Sequence, residues 1–424
     1  MHPIFNSSWW DNFLDETQTM SSPTVFKHCF HAGETRRMRM EVMEIIRDLH
    51  LNYKKKYGYR LWVNNVRIEN EAEMFARAPL IGEDIKDWTD RVFKDEKFGI
   101  ILNRGEKFND DLSSFLARGI QPLIQKLGMP TEGILFTLFI GNYSATPLGI
   151  HKDSPGKSVM HFHLGPGSKT MYCWDDEKYM SSAGENCHNN MDFGPHLHYA
   201  RQHTFAEGDI YFMPENHFHL GMQEGLSIGI ACWWYNRSSQ DFARQLLTLA
   251  SRTAINRSDE MLKADPRPLS DSSGLDTTLQ LFSSSVNLDM KFEVFMREAY
   301  VDLRHSLYSN CGLRNAPLPR SDRVSLDETS VVRLESPFLL YSRQTADGLT
   351  LIVYARGTRL EMRNVPSIAG VVDILNKGNS ITLKKLAELS GLQIDVCREL
   401  VSTLIMYKGV DVHRAKNSDY TEAV

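Results

Sequence analysis

The chain has 424 residues, 42% of them hydrophobic and 24% charged, the profile of a soluble globular protein long enough for two or three domains. Its formal net charge of -5 favours neither nucleic acid nor an anionic membrane surface, and no uninterrupted apolar run is long enough to span a bilayer. The six cysteines are scattered without a Cys-x-x-Cys pair, which argues for a reducing, cytoplasmic setting and against a disulfide framework. The first residues lack the basic-then-apolar layout of a signal peptide.

In chain order, residues 9–30 read as a short helix, a loop and the apolar strand Pro23-Thr-Val-Phe-Lys-His-Cys-Phe30. Residues 36–57 place Met38, Val42, Ile45 and Leu49 at helical spacing, a stripe suited to a core. Tyr59–Ile68 reads as strand, Ile85–Phe93 and Leu112–Leu127 as helices, and Glu132–Gly141 as a strongly apolar strand. From 134 to 236 short β-runs are broken by Gly and Pro: Ile134–Ile140, Gly149–Asp153, Val159–Leu164, Thr170–Trp174, His196–Phe205, Ile210–Met213 and Leu226–Tyr235. Short strands with regular turn signals predict an antiparallel double sheet of jelly-roll or cupin type. The polar stretch Asp175–Pro195 reads as a loop that could serve as a lid or substrate contact. Residues 240–310 read as helical, with a polar linker near Asp265–Gly274, and 312–334 form a second Pro/Asp/Ser-rich connection. Strands Phe338–Ser342 and Leu349–Ala355, helices Ile368–Leu375, Leu383–Leu389 and Ile394–Met406, and a closing Gly409-Val-Asp-Val then suggest a winged-helix-like domain.

The chemistry concentrates between Gly149 and Trp234. Gly-Ile-His-Lys-Asp places His151 and Asp153 two apart, so on an extended segment both side chains share a face. Gly208, Pro214 and His219 then form a strand–turn–strand pattern that aims a second histidine inward. Two histidines and one carboxylate are the ligand set of non-haem Fe(II) oxygenases, which leaves three metal positions open; His151, Asp153 and His219 are read as that set. Lys169 sits in the otherwise apolar strand that follows Gly165-Pro-Gly-Ser. An unpaired lysine there is costly, and the carboxylate of a co-substrate would pair it.

Taken together, Trp10-Asp-Asn-Phe-Leu-Asp-Glu with Pro23-Thr-Val-Phe-Lys, His151-Lys-Asp153, Gly165-Pro-Gly-Ser-Lys169, Gly208-Asp-Ile-Tyr-Phe-Met-Pro and His219 resemble the JmjC/cupin-like 2-oxoglutarate oxygenases. The similarity is greatest to the bacterial branch that hydroxylates ribosomal proteins, including 50S arginine hydroxylases. The resemblance covers nearly the whole chain and implies an α+β fold: a double-stranded β-helix barrel with a helical segment and a C-terminal winged-helix-like domain. It implies Fe(II) on His151, Asp153 and His219, with 2-oxoglutarate gripped by Lys169 and Tyr143, Asn142, Ser227 and Asn236 as further candidate contacts. Glu215-Asn-His-Phe before His219, and Leu148 before His151, depart from the family pattern. The implied reaction consumes O2 and hydroxylates a protein or peptide side chain, releasing succinate and CO2; desaturation or demethylation would use the same site.

Other readings compete. His161 and His163 share a face and could form a cupin metal pair with His219, or one of them could touch substrate. His217 is a rival distal ligand. Cys187, His188, His196, His198 and His203 contain the residue types of a zinc site. Trp233, Trp234 and Tyr235 read as core and rim packing. The chain is expected to divide into N-terminal α/β elements (1–105), the barrel (106–240), a helical segment that could support a homodimer (241–330) and the winged-helix-like part (331–424). Gln393–Lys408 carries Arg398 and Lys408 against Asp395 and Glu399, a poor surface for phosphates, so peptide docking or dimer support is the expectation there. The rival functions are the same oxygenase chemistry on a small biosynthetic molecule, and a non-catalytic cupin-like regulator.

Overall fold

The structure, a computed structural model, describes residues 4–53, 58–261, 267–268, 270–282, 291–345 and 348–412. The chain forms two compact units, Met1–Asn236 with Ser306–Val424, and Arg237–His305.

The first unit opens with eleven strands: β1 (Thr24–Phe26), β2 (Tyr59–Val63), β3 (Val66–Arg67), β4 (Phe98–Asn103), β5 (Leu135–Gly141), β6 (Lys157–Pro166), β7 (Lys169–Trp174), β8 (Arg201–Phe205), β9 (Ile210–Met213), β10 (Phe218–Gln223) and β11 (Ser227–Tyr235). They pair antiparallel into an eight-stranded sheet, β1-β9-β6-β11-β5-β4-β2-β3, and a three-stranded sheet, β10-β7-β8. Residues on both sides of 105 therefore share one sheet.

Alternation along these strands divides the large sheet into two faces. Tyr59 and Leu61, Ile100 and Leu102, Phe136, Leu138 and Ile140, Met160 and Phe162, and Ile228, Ile230 and Cys232 belong to one buried core. Four helices complete that core, Ile85–Phe93 contributing Ile85, Trp88 and Phe93. Ser7–Glu16 contributes Trp10 and Phe13, Ala32–Asp48 contributes Val42, Ile45 and Ile46, and Asp110–Leu127 contributes Leu112, Leu116 and Ile120. Each fully buried aliphatic or aromatic side chain of this kind stabilises by about 1.5–3 kcal/mol relative to exposure. The intervening residues, Arg60 and Trp62, Ile101 and Asn103, Thr137 and Phe139, Val159 and His161, and Ala231 and Trp233, face a cavity instead.

The Gly208 turn ties the N-terminal segment to the sheets. Gly208 has φ 89°, and a Cβ there would stand 2.4 Å from Phe30 O. Asp209 accepts from Lys27 Nζ at 2.8 Å, from His28 N at 2.9 Å and from Ala206 N at 2.8 Å, which holds its carboxyl below the usual range despite burial.

Several local expectations change. Gly149–Asp153 is not a strand; isolated bridges join Ile150 to Asn190 and His151 to His219. Asp175–Pro195 is not all loop: Asp176–Ala183 is helical, capped by Asp175, whose carboxylate accepts from Lys178 N. His196–Phe205 splits into a 3-10 turn, Gly194–Tyr199, and β8. In the C-terminal region, Val331–Leu334 pairs with Ile381–Thr382 and Val410–Val412, and Tyr341–Gln344, Thr350–Ala355 and Thr358–Arg363 form a second sheet. Helices Pro366–Asn376, Leu383–Ser390 and Ile394–Met406 share one core with these strands, through Val372, Leu386 and Val401.

In the second unit, helix Ser239–Ala254 is capped by Ser238, and Phe242 packs edge-on to Tyr300 at 6.0 Å. Of the expected linker near 265–274, residues 265, 266 and 269 lie outside the described residues, as do 54–57 of the expected 36–57 helix and 413–424 of the last expected domain. Among the described residues no helix is long and apolar enough to cross a membrane.

Candidate active site

A cavity of about 350 Å3 is lined by the non-core face of the large sheet, by Lys169, Met171 and His219 of the small sheet, and by the segment from Tyr143 to Lys157. His151, Asp153 and His219 all reach it. A two-residue bridge fixes the histidines: His151 N donates to His219 O at 3.1 Å, and His219 N to His151 O at 2.9 Å. Their ring centroids lie 4.3 Å apart. His151 Nδ1 meets Gly149 O at 2.9 Å and His219 Nδ1 meets His217 O at 3.0 Å. A carbonyl only accepts, so both protons sit on Nδ1 and both Nε2 atoms keep a free lone pair, the form that binds a metal. Burial pushes the His151 pKa down, and burial with the adjacent His151 ring brings His219 down to about 3. Both rings are therefore neutral at pH 7.

Gly149 makes this local path possible. Its φ is 63°, and a Cβ would stand 2.3 Å from Asn190 O. Asp153 is held by Lys157, whose Nζ lies 3.0 Å from Oδ1. Burial alone would raise the Asp153 carboxyl; Lys157 and His219 outweigh it, and the pKa falls. As the side chains stand, no three His, Cys, Asp or Glu groups among the described residues close into a metal cluster, and the Asp153 carboxylate is paired with Lys157.

Lys169, the first residue of β7, is 7% exposed. Its Nζ donates to Tyr143 Oη at 3.5 Å and lies 5.7 Å and 5.8 Å from the centroids of the Phe139 and Tyr143 rings. No carboxylate among the described residues pairs with it. Tyr143 is placed by two glycines: a Cβ at Gly99 would lie 3.1 Å from Tyr143 Cδ1, and one at Gly141 2.7 Å.

Five of the eight expected residues, His151, Asp153, His219, Lys169 and Tyr143, thus line one cavity. Asn142 and Ser227 do not line it. Asn142 instead holds a turn, accepting from Phe98 N at 2.7 Å and donating to Glu96 O at 3.0 Å. Ser227 is buried at the start of β11, opposite Gly141 and Pro166. Asn236 donates to Glu215 Oε2 at 3.1 Å.

His161 lines the cavity, and its Nε2 is buried without a hydrogen-bond partner. His163 is absent from the lining, and its Nε2 meets Gly167 O at 2.7 Å, so the two do not act as a pair toward His219. His217 is absent as well, its Nδ1 meeting Glu215 O at 2.8 Å. Of the histidines considered for zinc, His196 Nδ1 lies 2.7 Å from Tyr199 Oη, His198 Nδ1 meets Pro195 O at 2.9 Å, His188 lies 5.4 Å from the Phe218 ring, and His203 lies 5.6 Å from the Tyr211 ring with Nε2 buried and unpartnered; among the described residues they close into no metal cluster.

Sequence reasoning missed Lys157, Arg60 and a polar chain on the cavity wall, in which Trp233 Nε1 donates to Thr137 Oγ1 at 2.9 Å and Thr137 Oγ1 to Asn103 Oδ1 at 3.0 Å. Alternation on β2, β4 and β5 was the available signal. Trp233 thus lines the cavity while Trp234 belongs to the core.

No family model matches the chain, and no curated protein matches it. Among solved structures, it is similar to that of Escherichia coli YcfD at 12% identity, covering 95% of this chain and 98% of that one, with a TM-score of 0.47. It is also similar to a structure described as YcfD, a ribosomal oxygenase, in complex with cobalt and 2-oxoglutarate, at 13% identity, 96% and 98% coverage and a TM-score of 0.43.

Proposed function

We propose that this cavity is the active site of an Fe(II)- and 2-oxoglutarate-dependent oxygenase that hydroxylates a side chain of a protein or peptide. The observation that carries the reading is Lys169, a buried ammonium with no carboxylate partner, in the same cavity as two neutral histidines and an ionised aspartate. A buried cation without an anion is costly, and a dicarboxylate co-substrate supplies the anion.

The donor set fits a divalent metal. His151 and His219 would offer Nε2, and Asp153 would offer the oxygen that Lys157 does not hold. When bound, Fe(II), 2-oxoglutarate and O2 supply the oxidising power that places one oxygen atom on a C–H carbon while 2-oxoglutarate leaves as succinate and CO2. The chain's own residues do the rest. Gly149 O and His217 O fix the imidazole tautomers and ring planes. Lys157 keeps Asp153 ionised, and Lys169 with Tyr143 orients the distal carboxylate. Phe139, Val159, Met213 and Ala231 provide an apolar wall that excludes water, while Trp62, Trp233 and Tyr235, each partly exposed, suit a side chain entering from a surface.

The test is an anaerobic titration with Fe(II) and 2-oxoglutarate, watching for the visible charge-transfer band of the chelate. Wild type should develop the band, and Lys169→Ala should need about 10- to 100-fold more 2-oxoglutarate, the loss of one charge-assisted contact. Absence of the band in folded wild-type protein would overturn the reading.

A further inference from the structure

One cation in the cavity is left without a role by the proposed chemistry. Arg60 and Trp62 alternate on β2 and both line the cavity. Across the sheet Arg60 faces Ile101, and Ile101 faces Phe139. Arg60 therefore stands in the same row as the ring beside Lys169, two strand spacings or ~10 Å away. The β2–β3 turn is a two-residue hairpin, Asn64-Asn65, with φ 48° and 65°. It brings Arg67 back toward Trp62, so that the guanidinium carbons of Arg60 and Arg67 lie 5.7 Å and 6.0 Å from the Trp62 ring centroid.

The two arginines differ in their partners. Arg67 holds Glu69 at 3.0 Å. Arg60 Nε is buried with no hydrogen-bond partner, and no carboxylate among the described residues pairs with Arg60. Burial and the neighbouring Arg67 both disfavour its charge, and no acidic group opposes them. Around the cavity the charged lining is Arg60, Lys157 and Lys169 against Asp153, and Asp153 is engaged by Lys157. One co-substrate carboxylate would answer Lys169. Arg60 would remain uncompensated, with the Asn103 side-chain NH2 as a further donor on the adjacent strand, since only its Oδ1 is engaged, by Thr137.

We infer that Arg60 is the substrate-recognising cation of this cavity, and that the group admitted beside Trp62 bears a carboxylate. This rests on the oxygenase reading for the reaction, though not for the binding. A planar guanidinium takes a carboxylate through two parallel hydrogen bonds. With Lys169 answered by the co-substrate, an incoming lysine or arginine side chain would still meet the unanswered charge of Arg60 and no free carboxylate, which excludes basic substrates by repulsion. The carboxylate comes from an aspartate or glutamate side chain of a peptide, or from a free carboxylic acid.

The test uses the full chain and octapeptide libraries, randomised except for a central Glu, Asp, Gln, Lys or Arg, with butanoate and phenylacetate as free acids. Binding to metal-free protein is read by anisotropy of labelled libraries and by competition with the free acids. Stimulated succinate release from protein loaded with Fe(II) and 2-oxoglutarate is read separately. The Glu or Asp libraries should bind and stimulate above the Gln library, and the Lys and Arg libraries should do neither. Arg60→Met, checked for folding by circular dichroism, should weaken acidic-library binding about 10- to 100-fold, and Arg60→Lys should restore part of it. Arg60-dependent binding by the free acids alone would keep the carboxylate assignment and name a small-molecule source. Preference for Gln, Lys or Arg libraries, no binding by any acidic probe, or unchanged binding in Arg60→Met would overturn it. If the charge-transfer band fails while acidic probes bind through Arg60, only the oxygenase reading falls.

Discussion

At Gly141 a side chain would stand 2.6 Å from Phe98 O and 2.7 Å from Tyr143 Cδ1. The first of these atoms belongs to the sheet and cannot yield; the second belongs to the ring that hydrogen-bonds Lys169. Gly141→Ala should therefore displace Tyr143, cost about 1–3 kcal/mol by overpacking, and weaken 2-oxoglutarate binding while Fe(II) binding alone holds. Thermal unfolding and separate metal and co-substrate titrations check this; equal losses in both titrations would show general damage instead. Gly229 is a parallel case: a Cβ would lie 2.2 Å from His161 Cε1, at a register shift between β11 and β6. That His151, Asp153 and His219 would meet in one cavity was legible because candidate ligand types recur at short spacings, and that Lys169 would join them because a lysine breaks an apolar run. Arg60 and Lys157 were not: alternation on β2 gives Arg60 a face but not what that face meets, which depends on strands β4 and β5, and Lys157 acquires meaning only from a carboxylate four residues away on an irregular segment.

At the scale of an element, the short turn Gly105–Lys107 buries Glu106, which accepts from Phe136 N at 3.2 Å and from Asn315 Nδ2. Burial raises its pKa from the ordinary 4.5 to about 7, against the lowering effect of these hydrogen bonds. The sign follows directly. Between about 4.5 and 7 the folded state keeps a proton that the unfolded state releases, so stability is highest below that window, falls as pH rises through it, and levels off above it. The fall should be ~3 kcal/mol. Urea unfolding at pH 5 and pH 8 measures it. Glu106→Gln should start less stable at pH 5, since its NH2 faces a donor, yet lose much of the further fall; an unchanged pH slope would assign the dependence to other groups. Elements with clean alternation, such as β5 and β11, were readable because one face meets a core and the other a cavity. Thr358–Arg363 was not: Thr-Arg-Leu-Glu-Met-Arg carries only intermediate and exposed positions, so no apolar period marks it. Asp176–Ala183 was hidden by low apolar content, although Asp175 in its capping position was visible.

For the molecule as a whole, the C-terminal region is joined to the helix Asp110–Leu127 through a buried charge. Arg356 and Gly357 form the hairpin turn between Thr350–Ala355 and Thr358–Arg363, with φ 47° and 80°. The Arg356 guanidinium lies 3.5 Å from the centroid of the Phe338 ring, donates from Nε to Asn310 Oδ1 at 3.2 Å, and stands 3.5 Å from Asp110 Oδ1. Lys408 reaches the other Asp110 oxygen at 2.8 Å, and Arg118 donates to Ser336 O at 2.7 Å. The strand and helix runs after residue 331 were legible in the sequence, but not this joint, which depends on residues more than two hundred positions apart. A tail held this way is part of the folding unit, so truncation at residue 335 should destabilise the two sheets built from β1–β11 as well as remove the C-terminal residues. Point variants isolate the stability effect. Asp110→Ala removes the nearer of the two carboxylates that favour the buried Arg356 charge, Glu335 being the other, and should cost about 2–3 kcal/mol, below the usual range for a broken buried pair because Asp110 is partly exposed and Glu335 remains. Arg356→Met keeps the volume and removes the charge, so the double variant should cost clearly less than the sum of the singles. A urea-unfolding double-mutant cycle measures that coupling; strict additivity would show that Arg356 is held by Phe338 and Asn310 alone, with the charge playing no part in joining the two regions.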